Sequence, residues 1–146
     1  MTSFEGTSAQ SYSDADAVTG VQLIVSDTRE ARTFEILDSG ERLRLTYPIT
    51  LAEGYYDRST ADPNNQVEYY ISNASGGVGQ TGTILWRSRS DGARRRITGN
   101  IDSIMFVDDD DTQNSIRVTV VARNDVARGS RTASLTERLV YLRNHP

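Results

Sequence analysis

The fold is decided by the stretch from Arg94 to Val121, which reads RRRITGNIDSIMFVDDDDTQNSIRVTVV. Two apolar, β-branched runs flank an acidic polar loop. In the second run, Ile116, Val118 and Val120 alternate with polar residues, which gives an extended strand one apolar face. The stretch therefore predicts an antiparallel strand pair at the centre of a small sheet.

Composition indicates a single globular domain. The chain has 146 residues, and a domain of about this size buries roughly two-thirds of the surface that its unfolded chain exposes. Hydrophobic residues make up 36% of the chain and charged residues 25%, a composition with which a globular domain can form a hydrophobic core. The net charge is -4, and all sixteen basic residues are arginine. An acidic balance argues against nucleic acid as a partner.

The residue types that are rare or missing exclude several kinds of site. Without cysteine, the chain forms neither disulfides nor thiolate metal sites. The single histidine, His145, stands beside Pro146, so a histidine-dependent triad or a multi-histidine metal site would rest on a fraying chain end. We therefore do not expect these enzyme classes, and an aspartate-based hydrolase is the enzyme alternative that stays open. No apolar run approaches the ~18 residues of a membrane span, and residues 1–13 are too polar for a signal peptide.

An amphipathic helix is predicted near the start of the chain. Residues 1–13 predict a flexible lead-in, and residues 14–146 predict the single globular domain. We place the helix at about Asp14 to Arg32, because apolar side chains recur there every three to four residues. This stripe comprises Val18, Val21, Ile24 or Val25, Thr28 and Ala31. The opposite side carries Gln22, Ser26, Arg29 and Glu30.

Short strands separated by turn signals follow the helix. Phe34–Leu37 and Leu43–Tyr47 predict a hairpin, and Pro48 is expected to end or edge its second strand. Residues 57–66 combine aspartate, proline and asparagine, which predicts a loop. Alternating apolar residues from Val67 to Ile71 predict the next strand.

The remainder of the chain predicts further antiparallel strands. The glycine-rich residues 72–82 predict a flexible connection. Asp91-Gly92 predicts a tight turn between strands at Thr83–Arg89 and Arg94–Thr98. The closing strand, Ser134–Arg143, has apolar residues on both faces, which favours the interior of a sheet. One N-terminal helix packed on about seven antiparallel strands is an α+β fold.

The order of several short phrases resembles the soluble domain of minor type IV pilins and of the minor pseudopilins of type II secretion, above all the J-like and W-like members. The resemblance covers about residues 17–144. The matching phrases are Leu23 to Ala31, Leu43 to Leu45, Val67 to Ile71, Leu85 to Arg87, Asn100 to Phe106 and Leu139 to Asn144. In the family, the phrase like Asn100 to Phe106 reads asparagine, hydrophobic, two variable residues, hydrophobic, one variable residue and phenylalanine.

The resemblance implies a pilin-like head and a structural, non-enzymatic role in a type IV pilus or a type II secretion pseudopilus. Its partners would be other pilin or pseudopilin subunits, and the isolated domain would be monomeric. The family's processing site, Gly-Phe-Thr-Leu-Ile-Glu, is absent from this sequence. The resemblance therefore implies a missing N-terminal transmembrane helix, which would anchor a periplasmic or cell-surface protein in the inner membrane before assembly. The alternative is a stand-alone β-rich module for surface binding or adhesion.

The acidic loop is the most conspicuous polar feature. It consists of Asp108, Asp109, Asp110 and Asp111. Four adjacent carboxylates repel one another, and a hard, oxygen-binding cation such as Ca²⁺ would relieve that repulsion. Some pseudopilins resemble this arrangement in holding a loop with calcium. The other interpretation is a solvated turn that keeps one end of the domain soluble. We expect no other cofactor.

Charged residues at two other places are candidates for partner contacts. Asp27, Arg29 and Glu30 on the predicted helix either form ion pairs between subunits or simply face solvent. A second group is basic and consists of Arg87, Arg89, Arg94, Arg95 and Arg96. This group predicts either a salt-bridged or partner-facing surface, or a phosphate-binding patch to which Trp86 would add base stacking.

Overall fold

The computed structural model describes residues 18–51, 53–108, 114–125 and 131–142. In these ranges one helix packs on eight antiparallel strands in two sheets, which confirms the α+β class. The helix, α1, covers residues 18–30. The strands are β1 (Thr33–Leu37), β2 (Arg42–Thr50), β3 (Tyr56–Ser72), β4 (Ile84–Arg89), β5 (Arg94–Thr98), β6 (Ile101–Asp108), β7 (Ser115–Asp125) and β8 (Arg131–Tyr141).

The strands form a five-stranded sheet in the order β1-β2-β3-β4-β5 and a three-stranded sheet in the order β6-β7-β8. The predicted pairing of β6 with β7 is confirmed, with a register that runs from Ile101 opposite Ala122 to Asp108 opposite Ile116. The predicted central position of this pair is wrong for β6, which is an edge strand. However, Arg94–Thr98 belongs to the other sheet, because the tight Asp91-Gly92 turn pairs it with β4. The chain crosses between sheets after β5, where Asn100 adopts a φ of 59°.

Helix α1 buries the predicted apolar stripe. Val21, Ile24 and Thr28 are almost inaccessible, whereas Val18 at the start of the described helix is exposed. The helix ends at Glu30, two residues before the predicted end, and residues 14–17 lie outside the described ranges. A Cβ atom on Gly20 would lie 2.9 Å from Leu85 Cδ2, so glycine permits a close approach of the helix to β4.

A single hydrophobic core joins the helix to both sheets. In the three-stranded sheet, alternate residues such as Phe106 and Val118 point inward while Val107 is exposed. In the five-stranded sheet, the same alternation buries Leu43 and Leu45. The core cluster comprises Val21, Ile24, Val25, Ala31, Leu43, Leu45, Val67, Tyr69, Leu85, Ile101, Ile104, Phe106, Ile116, Val118, Val120, Ala122, Val140 and Leu142.

Strand β3 is much longer than predicted, so the predicted loop at residues 57–66 is wrong. Thr46 and Pro48 are two residues apart on β2, but their β3 partners, Gln66 and Ala61, are five residues apart. The turn-forming residues between them are therefore accommodated as an irregularity within a continuous pair of strands. Pro48 lies inside β2 at this irregularity instead of ending the strand.

Strand β8 is an edge strand, which corrects the prediction that Ser134–Arg143 lies in a sheet interior. Val140 and Leu142 are buried, whereas Leu139 and Tyr141 are exposed on the outer face. Apolar residues on both faces of this strand therefore do not mean that the rest of the domain covers both faces. The sequence pattern could not separate these two cases, because an edge strand alternates with the same period of two residues.

The first part of the glycine-rich connection between β3 and β4 is held by side-chain hydrogen bonds that the sequence did not predict. The Tyr70 hydroxyl donates a hydrogen bond to the Gly76 carbonyl at 2.7 Å. Trp86 Nε1 donates to the Asn73 carbonyl at 3.0 Å, and Ser72 Oγ donates to the Gly77 carbonyl at 2.5 Å. Side chains of the flanking strands therefore fix the loop that joins them.

Gly76 is a position in this loop where a side chain should be poorly tolerated. Its φ is +75°, and a Cβ atom would lie 3.3 Å from the Trp86 ring. Gly79 has a φ of +86° but open space around its Cβ position, so it is a matched control. Each alanine substitution should lower the free energy of unfolding by about 1–2 kcal/mol, because alanine disfavours the left-handed backbone conformation. We expect Gly76→Ala to lower the free energy of unfolding by about 1 kcal/mol more than Gly79→Ala, because the Trp86 ring must move.

Urea unfolding followed by the fluorescence of the only tryptophan measures both effects. The native emission should shift in Gly76→Ala and stay unchanged in Gly79→Ala. Equal losses of stability together with an unshifted emission spectrum would show that Trp86 does not pack on the loop.

Candidate functional site

Asp27 is the charged residue that connects the helix to the five-stranded sheet. Its carboxylate accepts a hydrogen bond from Arg87 Nε at 2.8 Å and another from the Tyr69 hydroxyl. The Tyr47 hydroxyl donates to the Asp27 backbone carbonyl at 3.0 Å. We call these four residues the Asp27 clamp. They connect α1 to β2, β3 and β4.

The strand register explains why the three sheet residues meet. Leu43 lies opposite Tyr69, and Tyr69 lies opposite Arg87, so these side chains share one face across three strands. Tyr47 is four residues after Leu43 on β2, and a period of two places it on the same face. Asp27 lies beside the buried helix stripe, where its short side chain reaches this row.

Burial and charge determine the protonation states in the clamp. Burial raises the pKa of Tyr69 well above its usual range, and the Asp27 carboxylate raises it further. Burial and then Asp27 raise the pKa of Tyr47 in the same direction. Burial lowers the pKa of Arg87, but Asp27 and Tyr69, through their hydrogen bonds and charges, together raise it by more. Both hydroxyls therefore remain protonated donors, and Arg87 remains a cation.

The clamp is suited to holding α1 in a fixed position on the five-stranded sheet. An ion pair with side chains only 17% and 18% exposed joins Asp27 to Arg87, and a neutral tyrosine uses a further lone pair of the carboxylate. Tyrosines held in the neutral form are poor nucleophiles, and the Asp27 carboxylate is occupied by its hydrogen bonds from Arg87 and Tyr69. The arrangement sets the rotation and height of α1 on the sheet.

The structure places the three helix residues that were predicted to contact a partner on different sides of α1. Asp27 is directed inward and bonded within the chain, whereas Arg29 and Glu30 are exposed on the outer face of α1. Gln22 and Ser26 share that outer face. A groove of about 290 Å³ runs between this face and Arg138 of β8. Arg29 and Glu30 therefore stay predicted partner contacts.

The acidic loop is described only at its first residue. Asp108 ends β6 and is exposed, whereas Asp109, Asp110 and Asp111 lie outside the described residues. Within the described ranges, no three acidic or histidine side chains are grouped as a metal site would require. Calcium binding by Asp108 to Asp111 stays a prediction.

The structure places the arginines of the predicted basic group in different environments. Arg87 is turned towards Asp27, so its charge is neutralised inside the domain. Arg94, Arg95 and Arg96 are exposed on β5. Trp86 is bonded to the loop before β4 and is only partly exposed, so its ring is not available as an open stacking platform.

A cleft of about 390 Å³ was not predicted from the sequence. Its rim carries the carboxylates of Asp38, Glu41 and Asp102, and its floor includes Tyr70 and Ile104. These residues come from the β1–β2 turn, from β3 and from β6. Sequence reasoning missed the cleft because only the tertiary arrangement brings these three segments together.

Within the part of the chain that the structure describes, no helix has the length and apolar character needed to cross a membrane. Comparison of the chain with protein-family models, with curated proteins and with solved structures finds no match. The helix and its clamp, the exposed outer helix face and the surface charges are therefore the observations on which a function can be proposed.

Proposed function

We propose that this chain is the head of a structural filament subunit, either a minor pilin or a minor pseudopilin of type II secretion. The observation that carries the proposal is the division of α1 into two faces. The inner face is buried and held by the Asp27 clamp, while the outer face is polar and exposed. A helix that is fixed on its own head and open on its other side is suited to packing against neighbouring stems.

Assembly is the proposed mechanism. Arg29 and Glu30 would form ion pairs with helices of adjacent subunits, and the groove beside Arg138 would accept a neighbouring side chain. The clamp would transmit the position of the stem to the head, because Asp27 connects to three strands. The proposed role requires no catalysis.

The proposal includes a membrane-anchored precursor. An apolar helix ahead of this chain, as the sequence resemblance implies, would hold the subunit in the inner membrane and later lie in the filament core. The head would then be periplasmic or exposed at the cell surface. Other pilin or pseudopilin subunits would be its partners.

The second candidate is a stand-alone β-rich module for surface binding or adhesion. The observation that favours it is the cleft of about 390 Å³ with its acidic rim. The two proposals differ in the surface that contacts partners. A filament subunit uses the outer face of α1, whereas a binding module uses the cleft and leaves that face in water.

Site-specific photocross-linking tests the filament proposal. The chain has no cysteine, so Ser26→Cys introduces the only thiol among these 146 residues, on the outer face of α1. The full-length variant is made in its native cells, modified with benzophenone maleimide and irradiated. We expect an adduct with another pilin-like subunit, identified by mass spectrometry, because the outer face packs against neighbouring stems.

Ala74→Cys is the matched control, because Ala74 is exposed in the loop between β3 and β4, away from the outer face of α1. The Ser26 adduct should exceed the Ala74 adduct several-fold. Labelled Ser26→Cys protein that yields no subunit adduct, or one no stronger than the control, would exclude the outer face as a packing surface.

A further inference from the structure

Among the residues that the structure describes, β5 is an edge strand, and this edge is unusually cationic for this chain. It pairs with β4 on one side and ends the five-stranded sheet on the other. Three consecutive residues of β5, Arg94, Arg95 and Arg96, are all exposed. Among the described residues, no carboxylate forms an ion pair with any of the three. The chain as a whole has a net charge of -4, so this edge opposes the average charge.

The three guanidinium groups lie on both faces of the sheet. Arg95 is opposite Arg87, on the face that carries the Asp27 clamp. Arg94 and Arg96 are opposite Ser88 and Trp86, on the other face. The like charges of Arg87 and Arg95 repel across the strand pair. Asp27 neutralises Arg87, but Arg95 has no such partner within the described ranges.

This distribution is poorly suited to nucleic acid. A phosphate backbone is bound by cations that converge on one groove or surface, and single strands also need open aromatic rings for stacking. Here the cations diverge to both faces, and the nearby Trp86 is bonded to the Asn73 carbonyl. The same distribution suits an extended peptide, whose successive side chains also alternate between the two faces of a sheet.

We propose that the free edge of β5 binds an acidic, extended segment of a partner protein, which adds to the five-stranded sheet as a further strand. Backbone hydrogen bonds to the unpaired edge would give affinity, and carboxylates on successive residues would select the partner. Arginine suits this role, because its planar guanidinium group binds a carboxylate through two parallel hydrogen bonds. This inference does not depend on filament assembly, since it concerns the exposed arginines of β5 and not the outer face of α1.

Charged residues on an edge strand also have a protective role, because they discourage unwanted pairing between sheets. That role predicts that β5 rejects every added strand. If β5 binds an acidic peptide through backbone hydrogen bonds, its arginines serve recognition. If β5 binds no added strand, they serve only protection.

The probe is the fluorescein-labelled peptide Thr-Val-Glu-Glu-Glu-Val-Thr, with the isolated domain as receptor and fluorescence anisotropy as the readout. We compare two double variants that remove the same charge from exposed arginines: Arg94→Gln with Arg96→Gln, and Arg29→Gln with Arg138→Gln. The β5 pair should weaken binding about five- to tenfold, as expected for the loss of two exposed ion pairs. The control pair should change the Kd less than about twofold.

Backbone pairing is tested with two further peptides that are N-methylated at alternate residues, one on the odd positions and one on the even positions. Only one set of N–H groups faces the sheet in an added strand, so one peptide should lose binding and the other should keep it. The proposal is overturned if the unmodified peptide does not bind, if both methylated peptides behave alike, or if both double variants weaken binding equally. Tighter binding of a single-stranded oligonucleotide than of the peptide would also overturn it.

Discussion

Asp27→Ala is expected to lower the free energy of unfolding by about 2–3 kcal/mol. The variant leaves the Arg87 guanidinium, whose side chain is 17% exposed, without its anion. It also leaves the Tyr69 hydroxyl without its acceptor. Removing one partner of a buried pair costs about 3–5 kcal/mol, and the residual exposure of this pair places the loss slightly below that range.

Urea unfolding of Asp27→Ala, Arg87→Ala and the double variant gives the coupling energy between the two residues. We expect a coupling of about 1–2 kcal/mol, since each single variant leaves a charge unpaired. The ion pair of Arg117 and Glu137 is the control, because its side chains are 41% and 44% exposed. That pair should couple by less than about 1 kcal/mol. A coupling for Asp27 and Arg87 no larger than the control would mean that the clamp does not hold the helix.

Phe106→Ala is expected to have the largest effect of any single substitution considered, a loss of about 3–5 kcal/mol. Phe106 is only 1% exposed, and it lies in the core cluster shared by α1 and both sheets. Removing its ring would leave a cavity at the junction of the two sheets, which neighbouring side chains fill only in part.

Val107→Thr is the matched control for Phe106→Ala. Val107 is the next residue on β6 but is 47% exposed on the outer face, and threonine keeps the branched side chain that strands favour. We expect a change within about 0.5 kcal/mol, as for most surface substitutions. Similar losses for both variants, measured by urea unfolding, would contradict the assignment of inner and outer faces to β6.

The elements that were predicted correctly are those whose burial follows a local period. The helix stripe from Val21 to Ala31 and the alternation in β7 from Ile116 to Val120 both report one apolar face directly in the sequence. The turn at Asp91-Gly92 was predictable because its backbone conformation favours those residue types. Pairing of β6 with β7 followed from two apolar runs joined by a polar loop.

The elements that were missed depend on neighbours distant in the sequence. Residues 57–66 carry strong turn signals, yet pairing with β2 draws them into β3 as an irregular strand. The separation of Arg94–Thr98 from β6 depends on which sheet each strand joins, and periodicity does not encode that choice. Gly20 lowers the helix propensity of α1, but its contact with Leu85 is visible only once helix and sheet are packed.

The candidate site was the least predictable part. Asp27 was noticed as a helix charge and assigned to the outside, because a carboxylate is expected to face water. Its inward position depends on Tyr47, Tyr69 and Arg87 from three strands, and only the register of those strands brings them together. The exposure of Arg29 and Glu30 was predictable from helical spacing alone.

We propose that this domain is the head of a filament subunit whose stem continues from α1 towards the membrane. Mass spectrometry and N-terminal sequencing of the native protein, isolated from cell membranes, test it most directly. We predict a polypeptide that extends upstream of Met1, with a stretch of about 20 apolar residues directly after a processed N-terminus. A native protein that begins at Met1 would contradict the claim.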